Sequence, residues 1–272
     1  METLFSVKDK RIVVTGGAGV LCAAMAQALA AGGAWICVLD YDETKGQAVC
    51  EEIKSTGGKA FAIKTNVLEK DQVEAAAAQA IQTMGHVDAL INGAGGNKKE
   101  ATTGPDMSFF DIPADAIRWV FDLNLLGTVL PSQVFGQHMV DRKQGIILNV
   151  SSMNALTPLT KIAAYSAAKA AVSNFTQWLA VHMCQNYSTD IRVNAIAPGF
   201  FLTDQNRFLL TEEKTGDLTP RGQQIIDHTP MGHFGNPEDL LGAVMWLLSD
   251  ASKFVTGTVV PIDGGFHAFS GV

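Results

Sequence analysis

The chain has 272 residues, 47% of them hydrophobic and 17% charged, which suits one large globular domain with a substantial core. Its formal net charge of −7 argues against a nucleic-acid binder, which needs a basic face to neutralise phosphates. No uncharged apolar run approaches the roughly 18 residues of a membrane span, and no apolar stretch follows a basic N-terminus, so no membrane partner and a cytoplasmic location are expected.

Cys22, Cys37, Cys50 and Cys184 form neither a C-x-x-C pair nor a Cys/His cluster, so neither a disulfide framework nor a bound metal is expected. Short β-branched runs alternate with longer helical patterns. Strands are predicted at 11–15, 35–40, 59–65, 87–92, 145–150 and 191–197. Helices are predicted at 18–31, 43–55, near 69–84, near 113–140 and near 162–185. Strands that are apolar throughout and separated by helices imply an α/β fold. The expectation is a single doubly wound Rossmann domain over 1–272, with about seven parallel strands and helices on both faces. The segment 200–235 breaks this rhythm with Thr, Gly, charges and Pro220, and reads as a loop or lid inserted over the sheet's carboxyl edge.

The first strand ends in Thr15-Gly16-Gly17-Ala18-Gly19 and a helix follows. Glycines there let the backbone turn tightly against a pyrophosphate, and the helix N-terminus favours the anion. Asp40 closes the second strand, where a carboxylate accepts hydrogen bonds from the adenosine ribose hydroxyls. Asp40 and Asp42 would repel a 2′-phosphate, and no Lys or Arg stands at 39–42 to receive one, so NAD is favoured over NADP. The fourth strand ends in small residues, Asn92-Gly93-Ala94-Gly95-Gly96, over which a cofactor can lie.

The fifth strand delivers Ser151 and Ser152 to the same edge, and the next helix carries Tyr165 and Lys169 one turn apart on one face. A phenol ionises near 10, too high for a neutral-pH base, and a neighbouring ammonium lowers that value. A serine hydroxyl can hold the substrate oxygen beside the tyrosine. Tyr41 and Lys45 repeat the spacing, but Ala28 stands thirteen residues earlier where Ser152 precedes Tyr165, so that match is a coincidence of a helix start.

With Asn124, Pro198-Gly199, Thr203 and Asp263-Gly264-Gly265 in order behind these motifs, the chain resembles the short-chain dehydrogenase/reductase family over nearly its whole length. The resemblance implies that Tyr165 is the general acid/base and that Lys169 binds the nicotinamide ribose and tunes it. It also implies that Ser152 orients the carbonyl and that Asn124 supports a proton relay behind Lys169. Cofactor contacts are expected from Thr15, Gly16, Gly17, Gly19, Val20, Leu21, Asp40, Tyr41, Asn66, Val67, Asn92, Gly93, Ala94, Gly95, Tyr165, Lys169, Pro198, Gly199, Phe201 and Thr203. A homodimer or homotetramer is implied as well. The chain departs from the family where Val20 and Cys22 replace two loop glycines, where Asn66 replaces Asp, and where Gly93 replaces Asn. If Gly17 and Gly19 do not restore the lost flexibility, pyrophosphate binding is compromised.

Gly19-Val20-Leu21, Asn92 to Asn97, Ser152 to Ala155, Thr157 to Lys161 and Phe200 to Arg207 resemble the D-mannonate oxidoreductase (fructuronate reductase) branch of the family. That implies a sugar-acid substrate, bound by Asn97, Ser152, Asn154 and Arg207, with Lys98, Lys161, Asn206 and His233 nearby on loops. Arg207 could clamp the carboxylate in two-pronged fashion. A gluconate or polyol dehydrogenase, a 3-oxoacyl thioester reductase and a catalytically silent cofactor-binding scaffold remain open.

Overall fold

Consecutive strand residues point to opposite faces, and in β1 (Arg11–Thr15) both faces are apolar. Ile12 and Val14 pack into one core layer and Val13 into the other, all fully buried. A strand buried on both sides needs parallel neighbours and helices on both faces. The computed structural model, which describes residues 3–202, 207–212 and 215–271, has that form. With β2 (Trp35–Asp40), β3 (Lys59–Lys64), β4 (Ala89–Asn92), β5 (Gly145–Val150), β6 (Ile191–Pro198) and β7 (Val259–Ile262) it makes a seven-stranded sheet. The order is β3-β2-β1-β4-β5-β6-β7, with every pairing parallel.

The helices are α1 (Val20–Ala31), α2 (Glu43–Ser55), α3 (Lys70–Met84), α4 (Ala114–Phe121), α5 (Gly127–Arg142), α6 (Ala163–Asn186), α7 (Arg207–Leu210), α8 (Pro220–Asp227) and α9 (Leu241–Leu248). α1, α2 and α9 cover one face through Leu29, Ile53 and Leu247. α3, α5 and α6 cover the other through Val73, Phe135 and Leu179. No described helix is long and apolar enough to cross a membrane, and no described His, Cys, Asp and Glu residues group to hold a metal.

The chain winds outward from β1 to β3, then crosses back to lay β4 on the other side of β1. Connections leaving β1 and β4 therefore diverge, and a crevice opens at their carboxyl ends. Two features differ from the sequence reading. The helix expected over 113–140 is broken by a π-helical turn at Asp122–Leu126. There the Asn124 amide donates to the Val120 carbonyl at 2.8 Å, one turn back along the widened helix. The seventh strand, which the sequence reading counted but did not locate, is Val259–Ile262, too short and too interrupted by Pro261 to stand out from its pattern.

At the opposite, amino edge of the sheet, Asp88 accepts from the Arg11 N–H and the Arg142 guanidinium, and these outweigh burial to hold its carboxyl below the usual range. Beside it, burial and then the Arg142 charge push the His138 imidazole below its ordinary value, and its Nε2 accepts the Val87 N–H at 3.2 Å. A histidine with a depressed folded value stabilises above the ordinary 6.5 and loses that contribution as pH falls through the folded value. Thermal melts of the wild type should therefore fall from pH 7 to pH 5, and His138→Gln, which keeps an acceptor that cannot protonate, should flatten part of that slope.

Candidate active site

Thr15, at the end of β1, accepts through its hydroxyl from the N–H groups of Gly93 at 3.1 Å and Ala94 at 3.3 Å. The two diverging loops are thereby held at backbone contact. Gly16 between them is left-handed at φ 60°, and a Cβ there would lie 2.7 Å from the Ala94 Cα. Gly17 packs against Val14 and Val38 instead of facing the crevice. Gly19 caps α1 without a side chain, so the first-turn N–H groups at Val20 and Leu21 are left for an anion. Asp40 braces this loop. Its carboxylate accepts from the N–H groups of Ala18 and Asp42, both at 2.9 Å, and retains further lone pairs for hydroxyl donors.

The resulting cleft of about 750 Å³ runs along the carboxyl edge of the sheet. Of the residues expected at a cofactor, Gly16, Gly19, Val20, Leu21, Asp40, Tyr41, Asn66, Val67, Gly93, Ala94, Gly95, Tyr165, Lys169, Pro198, Gly199 and Phe201 line it, as does Ser152. Thr203 lies outside the described residues. A glycine turn that a Cβ would fill, an uncapped helix start and a carboxylate at the neighbouring strand end fit a dinucleotide with free ribose hydroxyls.

Asn92 is turned away from the cleft. Its amide donates to Ser132 and Asn149 in a buried network that continues to Thr176. Asn97 donates to Thr102 at 2.9 Å and so braces its own loop. Asn154 is buried behind Ser152, whose hydroxyl accepts its N–H at 3.2 Å. Arg207 opens the short α7 with an exposed side chain and does not line the cleft.

Farther along the cleft, the loop that follows β5 presents Ser152 and α6 presents Tyr165 and Lys169. Lys169 is only 4% exposed. Its ammonium donates to the Val150 carbonyl at 2.7 Å and sits 5.7 Å from the centre of the Tyr165 ring. Burial pushes it down to about 8. Burial also pushes the Tyr165 phenol up, against a smaller opposite effect of its hydrogen bond with Ser152. Desolvation, and not the Lys169 charge expected from the sequence, is therefore the larger influence on the half-buried phenol. Asn124 lies directly behind. Its amide donates to the Gly96 carbonyl and its oxygen accepts the Gly96 N–H, and a Cβ on Gly95 would lie 2.7 Å from that oxygen and 3.1 Å from the Lys169 Nζ.

The loop departures compensate each other in volume. A Cβ at Gly93 would fall 2.1 Å from the Cys22 Sγ, so the thiol occupies the space a larger residue at 93 would need. Burial pushes that thiol up to about 12, leaving it a neutral packing group. Sequence reasoning missed Trp119 and Leu123, which also line the cleft; their i, i+4 spacing ahead of Asn124 was the available signal. Phe200 and Lys45 were likewise missed as lining residues.

Gly93→Ala should weaken NADH binding about tenfold, as overpacking typically costs about 1–3 kcal/mol. Cys22→Gly added to it should recover part of that loss, read by fluorescence titration. Lys169→Met should raise the melting temperature at pH 7 by about 3–6 °C while turnover collapses, because the buried ammonium is a stability cost present below about pH 8 and relieved above it.

A family model for short chain dehydrogenases matches residues 10–214. An uncharacterised oxidoreductase of Bacillus subtilis named UxuB is 48% identical, covering 98% of each chain. A crystal structure of a Haemophilus influenzae protein, described as a candidate D-mannonate oxidoreductase with bound NAD, is 47% identical, covers 98% of each chain and superposes with a TM-score of 0.91. The 5-keto-D-gluconate 5-reductase of Escherichia coli K12 is 32% identical over 97% of this chain and 98% of its own. The glycine turn, the Ser152–Tyr165–Lys169 cluster and these matches together make the chain an oxidoreductase of the short-chain dehydrogenase family.

Proposed function

We propose that the protein is an NAD-dependent oxidoreductase that interconverts the secondary alcohol and ketone of a sugar acid, with D-mannonate and D-fructuronate as the pair. The observation that carries the cofactor choice is the Asp40 carboxylate, held at the cleft by Ala18 and Asp42, which welcomes ribose hydroxyls and repels a 2′-phosphate. The relative crystallised with NAD supports it. The substrate class is supported by that relative's description and by kinship with the 5-keto-D-gluconate reductase.

Val20, Leu21 and the loop glycines would hold the pyrophosphate, Asp40 the adenosine ribose, and Lys169 the second ribose. The reduced nicotinamide supplies a hydride to the carbonyl carbon when bound. Tyr165, kept protonated by burial, donates its proton to the carbonyl oxygen, and Ser152 donates a hydrogen bond to the same oxygen. Lys169 provides positive charge beneath the phenol as that proton leaves. Asn124 acts indirectly, by fixing the Gly95–Gly96 backbone against Lys169.

The reading takes 1–272 as one catalytic domain and 200–235 as its substrate loop. A second pocket of about 250 Å³, bounded by Phe200, Met231, His233 and Asp263, supports that role for the loop. Exposed apolar side chains on α6, Trp178 and Val181 at 56% each, suit a face covered in a homodimer or homotetramer. Four free cysteines suit the reducing cytoplasm.

The test is oxidation of NADH and NADPH with D-fructuronate, 5-ketogluconate and an acetoacetyl thioester. Turnover should be fastest with NADH and D-fructuronate, and Tyr165→Phe should reduce it about 10²–10⁴-fold while leaving NADH affinity intact. Faster turnover of 5-ketogluconate would move the assignment to a gluconate dehydrogenase, and preference for the thioester would remove the sugar acid altogether.

A further inference from the structure

A six-carbon sugar acid carries its charge away from the reacting carbon, so a cation must stand at a set distance from Tyr165. Lys98 does not itself line the cleft, but it stands on the loop that leaves β4 past Gly95–Gly96 and rests on Trp119, which does. Gly95 touches the catalytic lysine, since a Cβ there would be 3.1 Å from the Lys169 Nζ. Lys98 follows three residues later, so its Cα lies within about 11 Å of that of Gly95. In a ketohexuronate the carboxylate is four carbon–carbon bonds from the ketone, about 5 Å when extended. The flexible lysine side chain can close the remaining gap.

Two features separate Lys98 from the other cations on these loops. It is half-buried, whereas Lys99, Lys161 and Arg207 are exposed. Its ammonium lies 5.5 Å from the centre of the Trp119 ring, and Trp119 itself lines the cleft. Lys98 forms no ion pair with a described carboxylate. Partial desolvation strengthens its attraction for an incoming anion.

The loop is also held before any substrate arrives. The Lys98 carbonyl accepts the Ala101 N–H and the Thr102 hydroxyl, both at 3.0 Å, and Asn97 donates to that same hydroxyl. The Thr103 N–H then donates to the carbonyl of Lys161 at 2.9 Å, linking this loop to the one that follows Ser152. Lys161 is itself left-handed at φ 76°. Such bracing fixes the Lys98 backbone and reduces the ordering cost of binding.

We infer that Lys98, seated on Trp119, receives the substrate carboxylate and sets the preference for a sugar acid over its neutral analogue, and that Arg207 does not. This rests on the sugar-acid reading above. D-fructuronate and D-fructose form the matched pair of probes, since they differ in a carboxylate against a hydroxymethyl group at the far end.

Steady-state reduction of both by NADH is measured for the wild type, Lys98→Gln, Lys98→Arg and Arg207→Gln. Lys98→Gln should raise KM for D-fructuronate about 10–100-fold, the value of a hydrogen bond to a charged group, with little change in kcat and no change for D-fructose. Lys98→Arg should recover most of that loss, and Arg207→Gln should stay within about threefold of the wild type. A wild type that prefers the acid, combined with an undisturbed Lys98→Gln or a selective loss in Arg207→Gln, overturns the lysine assignment alone. Equal loss on both probes reduces Lys98 to a structural residue. A wild type with no preference for the acid overturns the sugar-acid reading and this inference together.

Discussion

The hydroxyl of Thr15 holds together the two strand ends between which the whole site opens. It accepts from Gly93 and Ala94 and so keeps the β1 and β4 loops at backbone contact. That proximity is what makes side chains intolerable at Gly16, and it is why Cys22 can stand beside position 93 only while 93 is glycine. Doubly wound topology forces the two connections apart immediately beyond this point. The crevice is therefore a consequence of strand order, and the hydroxyl sets how tightly its base is closed.

Electrostatics around Lys169 and Tyr165 work against folding. Lys169 is buried with one carbonyl partner, and its charged form is disfavoured accordingly. Tyr165 is half-buried in the cleft wall, and burial disfavours its ionised form too. Such groups persist where the surrounding structure over-determines them. Here Asn124 does so from a π-helical turn, clamping the Gly95–Gly96 backbone that packs on the lysine. An isolated Tyr-x-x-x-Lys on a helix surface has none of these constraints, as Tyr41 shows, being 72% exposed and followed by Lys45 in a surface ion pair.

The loops beyond β4, β5 and β6 are built differently, braced to one another and not by strand pairing. Asn97 and Thr102 brace the loop after β4 internally, and the Thr103 N–H ties it to the loop after β5 through the Lys161 carbonyl. Phe200 reaches Phe266 with ring centres 5.3 Å apart, joining the segment after β6 to the C-terminal segment. Loops of this kind can vary while the sheet and α6 keep the Ser152–Tyr165–Lys169 cluster in place.

The sequence by itself determined the parallel sheet, the glycine turn, Asp40 and the Ser152–Tyr165–Lys169 cluster. These are local patterns: a run of β-branched residues, a strand end, a helical spacing. What it could not supply was direction and depth. Asn92 and Asn154 sit in the right segments, yet one is turned into a buried amide network and the other is tucked behind Ser152. The sign of the Tyr165 shift depends on how completely the ring is desolvated, which spacing does not encode. Cys22 reads as a defect in a glycine motif until its thiol is seen in the space beside Gly93, seventy-one positions along the chain. Local chemistry is written in neighbouring residues. Burial, volume and the facing of side chains belong to contacts between distant segments, and only the tertiary structure decides them.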